Sequence, residues 1–294
     1  MEIEKNIHFI WLGSVIPQEY LTNIVNWSQI NPEFKPFLWV DRHYSPNSSI
    51  SKDLVAQNGI ELKYIYAEKD LQTLTSSNFF KVWFNEQAPL YSIAADILRL
   101  AILYLYGGVY SDCDVTCASN AKPLNEFLAG KLFVGYGRDN KVRDNCIIAA
   151  KSGNMLFLEA LAKHFDNQYK HIEQDKVEPI LPFKLSGFAD DKQNHTVLFS
   201  KRLRASMEGF IVRNFGACVY MDIFKDLTDM GQIPLNLAPT VDNLNILLSD
   251  PHNDLLSITV PDAVYYMQPT YFTSLDWEEL GYAHQRHRNW LVAK

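Results

Sequence analysis

The chain has 294 residues, 47% of them apolar, a formal net charge of −7 and four cysteines. That length and apolar content suit one large hydrophobic core, and the acid excess without any Lys/Arg block excludes a nonspecific nucleic-acid binder. The cysteines, Cys113, Cys117, Cys146 and Cys218, are too few and irregular for a disulfide framework, and no charged-then-apolar leader opens the chain, so the expectation is a cytoplasmic protein.

In chain order, Ile7 to Gly13 is a short apolar run closed by glycine and reads as a first, buried strand. Similar runs return at Phe37 to Val40 and Leu62 to Tyr66, separated by stretches long enough to hold helices, which points to βαβ units and a mostly parallel sheet. From Leu90, apolar residues fall at Ile93, Ala94, Ile97, Leu98, Ala101, Ile102 and Leu105, the spacing of an amphipathic helix. Gly107-Gly108 ends it, Val109-Tyr110 begins a new strand, and Asp112-Cys113-Asp114 follows. Lys131 to Gly135 and Cys146 to Ala150 are further expected strands, and Asn154 to Phe165 an expected helix. The window Ile97 to Tyr106 is too short to span a bilayer, which leaves peripheral membrane association as the only kind expected. Beyond Gln168 the pattern loosens, so 168–210 reads as a variable, partly helical insertion in a single α/β domain covering 1–294.

Two carboxylates one residue apart offer hard oxygen ligands to a divalent cation, and on an extended segment Asp112 and Asp114 point to the same side. A lone pair of this kind more often marks a solvated turn. Asp96 and Arg99 share a helix face; a carboxylate accepts from sugar hydroxyls and a guanidinium grips hydroxyls or phosphate, although taken alone they read as a surface ion pair. Cys113 and Cys117 lack companions for a zinc site and are expected as packed or free thiols.

The stretch Ala94-Ala95-Asp96-Ile97-Leu98-Arg99 with Tyr104-Leu105-Tyr106-Gly107-Gly108-Val109-Tyr110-Ser111-Asp112-Cys113-Asp114-Val115 resembles the family 32 sugar transferases and the glucosylating domains of the large clostridial toxins. Ala95 stands where relatives usually carry Ser. The resemblance implies a GT-A fold, a nucleotide-sugar donor such as UDP-hexose, Mn2+ or Mg2+, and transfer with retention. It implies catalytic roles for Asp96, Arg99, Asp112 and Asp114. It also implies donor contacts from Trp11, which would stack on the base at the end of the first strand, and from Tyr110 and Asn145. The ending His284 with Asn289-Trp290 resembles the family's His, four residues, Ser-Trp. That match implies metal ligation by Asp114, His284 and Asn289, and a lid over 280–294 in which Trp290 covers the donor.

The function expected from this is a retaining hexosyltransferase acting on a glycan of a cell-surface polysaccharide, lipopolysaccharide or glycolipid. A toxin-like effector modifying a host protein is the alternative for the acceptor, delivered by secretion. Two other classes compete. Asp112-Cys113-Asp114-Val115-Thr116 also fits DxDxT, the nucleophile loop of haloacid-dehalogenase-type phosphatases, with Asp190-Asp191 as a metal pair. A sugar-nucleotide-binding module without turnover would use the same pocket.

Overall fold

A computed structural model describes residues 2–13, 15–41, 55–83, 91–138, 141–172, 219, 233–236, 239, 241–249, 264–267 and 272–284. Strand β1 (Asn6–Trp11), helix α1 (Gln18–Ile30), β2 (Lys35–Val40) and β3 (Glu61–Tyr64) build the first parallel edge, with Trp11 opposite Val40 and Val40 opposite Tyr64. Alternation along β1 explains how it is sandwiched. Ile7 and Phe9 pack with Leu21, Ile24 and Trp27 of α1, whereas Ile10 turns to the opposite layer.

That opposite layer is built on helix α2 (Tyr91–Tyr106). The expected helix is present, but it is not amphipathic in the simple sense, because every residue from Ile93 to Tyr104 except Ala95 is buried. It lies against the sheet on one side and against α3 (Leu156–Ile172) on the other, so its polar residues Asp96 and Arg99 are carried into the interior.

Strand β4 (Gly108–Ser111) follows at once and pairs parallel with β1, placing His8 opposite Tyr110. The two glycines are required by close approach. Gly107 and Gly108 have φ of 57° and 99°, and a Cβ on Gly108 would stand 2.6 Å from the Asn6 carbonyl oxygen. His8, fully buried, ties the same corner: its Nε2–H donates to the Gly107 carbonyl at 2.8 Å while its Nδ1 accepts from Trp39 Nε1 at 3.1 Å. This pattern needs the neutral ring, and burial lowers the His8 pKa to about 4 despite the bond to Gly107.

The remaining strands are β5 (Val115–Cys117), β6 (Phe133–Arg138), β7 (Lys141–Ala150), β8 (Ile233–Asn236), β9 (Val264–Met267), β10 (Phe272–Leu275) and β11 (Tyr282–His284). The main sheet has seven strands in the order β10-β6-β7-β4-β1-β2-β3, and β7 alone runs against its neighbours. The expected α/β class with a mostly parallel sheet is therefore present. Boundaries moved modestly: the strand expected to reach Tyr66 stops at Tyr64, β6 starts at Phe133, β7 begins upstream of Cys146, and α3 runs past Gln168. The rest of the 168–210 segment lies outside the described residues. Among the described residues no helix is long and apolar enough to cross a membrane.

Candidate active site

Asp112-Cys113-Asp114 leaves the carboxyl end of β4, beside the carboxyl end of β1, where open α/β sheets bind ligands. The segment is not extended as expected. It is a turn closed by the Val115 N–H donating to the Asp112 carbonyl at 3.1 Å, and Val115 begins β5. Several contacts pin this turn. The Asp112 N–H donates to the Cys146 carbonyl at 2.8 Å, Asn23 Nδ2 donates to the Cys113 carbonyl at 3.1 Å, and Cys113 Sγ reaches the Ile10 carbonyl at 3.4 Å. Cys113, Cys117 and Cys146 are free thiols, as expected; Cys218 is outside the described residues.

On one flank of the turn, Arg99 organises a buried network. Its Nη2 lies 3.0 Å from Asp96 Oδ1 and 3.3 Å from Asp112 Oδ1, its Nη1 donates to the Asn145 carbonyl at 2.6 Å, and its guanidinium lies 4.4 Å from the Tyr110 ring centre. Tyr110 donates its hydroxyl to Asp112 Oδ1 at 2.6 Å, and Asn145 Nδ2 donates to Asp96 Oδ1 at 2.9 Å. Asp96 and Arg99 are each 5% exposed, so the surface-pair reading does not hold. Burial raises the Asp96 pKa to about 7 against the opposing pull of Arg99. Burial likewise raises Asp112, with the Asp114 charge adding to it and Arg99 opposing.

The other flank is more open and is built by strand β11. Its pairing with β5 sets His284 opposite Val115, and His284 Nε2 comes to 3.3 Å from Asp114 Oδ1. The turn before β11 is anchored by Trp277 Nε1 on the Gly135 carbonyl and by the Ala118 N–H on the Gly281 carbonyl, at 3.2 and 2.8 Å. Gly281 has φ of 93°, and a Cβ there would lie 2.6 Å from Ala121 Cα, which explains glycine at the turn. Burial alone would lower the His284 pKa, but the hydrogen bond to Asp114 and the charges of Asp112, Asp114 and Asp144 raise it.

Sequence reasoning passed over Asp144 as a site residue. Between Gly135 and Tyr136 the β6–β7 register slips, from Gly135 opposite Ile148 to Tyr136 opposite Asp144, and this irregularity turns Asp144 and Asn145 toward the site. Asp144 Oδ1 accepts from the Asn145 and Cys146 N–H groups at 2.7 and 3.1 Å, and its Oδ2 lies 3.9 Å from His284 Nδ1. The signal available in the sequence was the Asp-Asn pair, which favours local side-chain-to-backbone turns.

Asp112, Asp114 and His284 each bring a ligand-type atom to within 4.8 Å of the others. Two carboxylates and an imidazole suit Mn2+ or Mg2+ better than a soft metal. Among the described residues, the carboxylates of Asp96, Asp112, Asp114 and Asp144 gather around the Arg99 guanidinium and the His284 ring, so the region favours a cation. Trp11 ends β1, half-buried, 5.6 Å from the Tyr20 ring, with its indole N–H sealed from solvent and unpartnered. Asn289, Trp290 and the Asp190-Asp191 pair lie outside the described residues.

Residues 17–133 match the family described as "Glycosyltransferase sugar-binding region containing DXD motif". "Subversion of eukaryotic traffic protein A" of Legionella pneumophila is 27% identical over 238 residues, covering 79% of this chain and 34% of that protein. "Inositol phosphoceramide mannosyltransferase 3" of Schizosaccharomyces pombe is 27% identical over 130 residues, covering 43% of this chain and 28% of the relative. The chain thus spans about a third of the length of these curated relatives. Among solved structures, "PaToxG Glycosyltransferase" aligns with a TM-score of 0.48 at 18% identity, over 76% of this chain and 79% of that one. The acidic turn after β4, with the buried pair on the helix before it, therefore lies inside the stretch, residues 17–133, that is similar to the glycosyltransferase sugar-binding region containing the DXD motif.

Proposed function

We propose that the chain is a metal-dependent, retaining hexosyltransferase of GT-A fold that takes a hexose from a nucleoside diphosphate, UDP-hexose, and moves it to an acceptor hydroxyl. The observation that carries this reading is the paired architecture of the site: a cation-suited set of Asp112, Asp114 and His284 directly beside the buried Arg99–Asp96 network. A diphosphate would meet several carboxylates here, and Mn2+ or Mg2+ at the set would offset that repulsion and the charge that builds on the departing diphosphate.

The chain's own residues divide the remaining work. Asp114 and His284, with Asn289 expected to join them, hold the cation, while Asp112 Oδ1 is already engaged by Arg99 and Tyr110 and so aligns toward ribose or sugar. Arg99 and Asp96 orient the hexose, and Asn145 fixes both of them through its carbonyl and its amide. Asp96, with a pKa near 7, donates a hydrogen bond to a sugar oxygen when protonated and accepts one when ionised. Trp11 provides the platform for the base, and Trp290 the cover that keeps water from the transferred sugar.

For the acceptor, a second reading rests on a specific observation. The match to "Subversion of eukaryotic traffic protein A" spans 79% of the chain, against 43% for the inositol phosphoceramide mannosyltransferase, which favours an effector-like transferase over one acting on glycans or glycolipids. The test is incubation with Mn2+ and a panel of nucleotide sugars while free nucleoside diphosphate is followed. Release from at least one donor, abolished in Asp114→Ala, supports the transferase. No release from any donor, with phosphomonoester hydrolysis that depends on Asp112, would instead support the phosphatase alternative. Donor binding with no release on any acceptor would leave a binding module.

A further inference from the structure

Asp144 is the one carboxylate of the site to which neither the sequence pattern nor the proposed reaction gives a task, and its geometry is specific. Its Oδ1 is fixed by two backbone donors, the Asn145 and Cys146 N–H groups at 2.7 and 3.1 Å, so the carboxylate cannot swing freely. The remaining oxygen, Oδ2, faces His284 Nδ1 at 3.9 Å. That ring nitrogen is sealed from solvent and has no hydrogen-bond partner. On its far side the same ring presents Nε2 to Asp114 at 3.3 Å. The carboxylate, imidazole and acidic turn thus stand in sequence, in the order Asp144, His284, Asp114.

From this arrangement we propose that Asp144 is a positioning residue: it accepts the Nδ1–H of His284 and so holds the ring with the Nε2 lone pair turned to the cation held at Asp114. The inference rests on the metal-dependent reading above. A histidine that ligates a metal through one nitrogen needs an acceptor for the other, and a carboxylate there fixes both tautomer and ring orientation. Asp144, Cys146 and His284 also bring ligand-type atoms within 4.8 Å of one another. As a cation site of its own that set is inferior, because Asp144 Oδ1 is spent on the backbone and a thiol is a poor donor to a hard cation. The β6–β7 irregularity at this point has a purpose in this light, since a regular ladder would not bring Asp144 and Asn145 to the two flanks together.

Mn2+ binding to the purified chain, followed by the electron-paramagnetic-resonance signal of the free ion, tests the proposal without recourse to turnover. Asp144→Asn keeps the size and the backbone acceptor but weakens the hold on Nδ1–H, and Mn2+ affinity is expected to fall about tenfold or more. In a His284→Ala background the same substitution is expected to change nothing further, because Asp144 acts through the ring. With diamagnetic Mg2+ bound in place of Mn2+, nitrogen-15 spectra of the His284 ring should report the Nε2-unprotonated tautomer in the wild type and a mixture in Asp144→Asn. An Asp144→Asn affinity within twofold of wild type, or an undiminished loss in the His284→Ala background, overturns the proposal while leaving metal-dependent transfer intact. No Mn2+ binding by the wild type overturns both.

Discussion

The two flanks of the acidic turn differ in how complete they are. On the Arg99 side, Asp96, Tyr110, Asp112 and Asn145 are joined to one another and to Arg99 by direct hydrogen bonds and ion pairs, with Asp96 and Arg99 almost sealed from solvent. On the His284 side, Asp114 and Asp144 flank a ring through 3.3 and 3.9 Å approaches that leave Nδ1 without a hydrogen bond. The first flank is part of the core and is organised before any ligand arrives; the second is organised for something to be added. Substitutions on the first should therefore damage fold and function together, and those on the second should damage function alone.

The largest effect is expected for Arg99→Ala. It leaves Asp96 and Asp112 without their cation in a buried setting, and loss of one partner of a buried ion pair costs about 3–5 kcal/mol. Chemical denaturation should register that loss, together with loss of donor turnover; an unchanged midpoint would erase the distinction between the flanks. Asp114→Ala should produce the opposite profile. Its thermal midpoint should stay close to wild type while turnover falls about 10²–10³-fold, the usual cost of removing one stabiliser of developing charge.

A smaller effect, in stability alone, is expected at His8 beneath the Gly107-Gly108 corner. Its folded pKa of about 4 lies below the ordinary histidine value of 6.5, so between those values the unfolded chain binds a proton that the folded chain refuses. Stability on account of His8 is full above pH 6.5 and declines as the pH falls toward 4, by about 2–3 kcal/mol at pH 4.5. Urea unfolding at pH 7.5 and 4.5 should show this loss in the wild type and a loss smaller by that amount in His8→Gln. Equal losses in the two proteins would remove His8 as the tie that holds the corner. The smallest effect belongs far from either flank. The Lys5–Glu33 pair is solvent-exposed on both sides, and Lys5→Met should leave midpoint and turnover unchanged.

The sequence made one flank more legible than the other, for physical reasons. Asp96, Arg99, Tyr110 and Asp112 lie within one helix-turn-strand unit, where local periodicity and two glycines prescribe the geometry, and a motif can record it. Even there, burial of the Asp96–Arg99 pair was hidden, because it depends on the distant strand β7 bringing Asn145 onto both side chains. The His284 flank is assembled from distant pieces. His284 reaches Asp114 only because β11 pairs with β5, and Asp144 reaches His284 only because the β6–β7 ladder slips, and neither event has a local signature. The acidic turn itself was read as extended; backbone closure from Val115 to Asp112 and the ties to Cys146 and Asn23 decided otherwise.

The central claim, that the acidic turn with His284 forms a cation site on which donor binding depends, is tested most directly by calorimetric titration of UDP into the chain with Mn2+ and with chelator. The account predicts binding at least about tenfold tighter with Mn2+, with the difference abolished in Asp114→Asn. UDP affinity that is the same in chelator and Mn2+, and unaltered by Asp114→Asn, would contradict it.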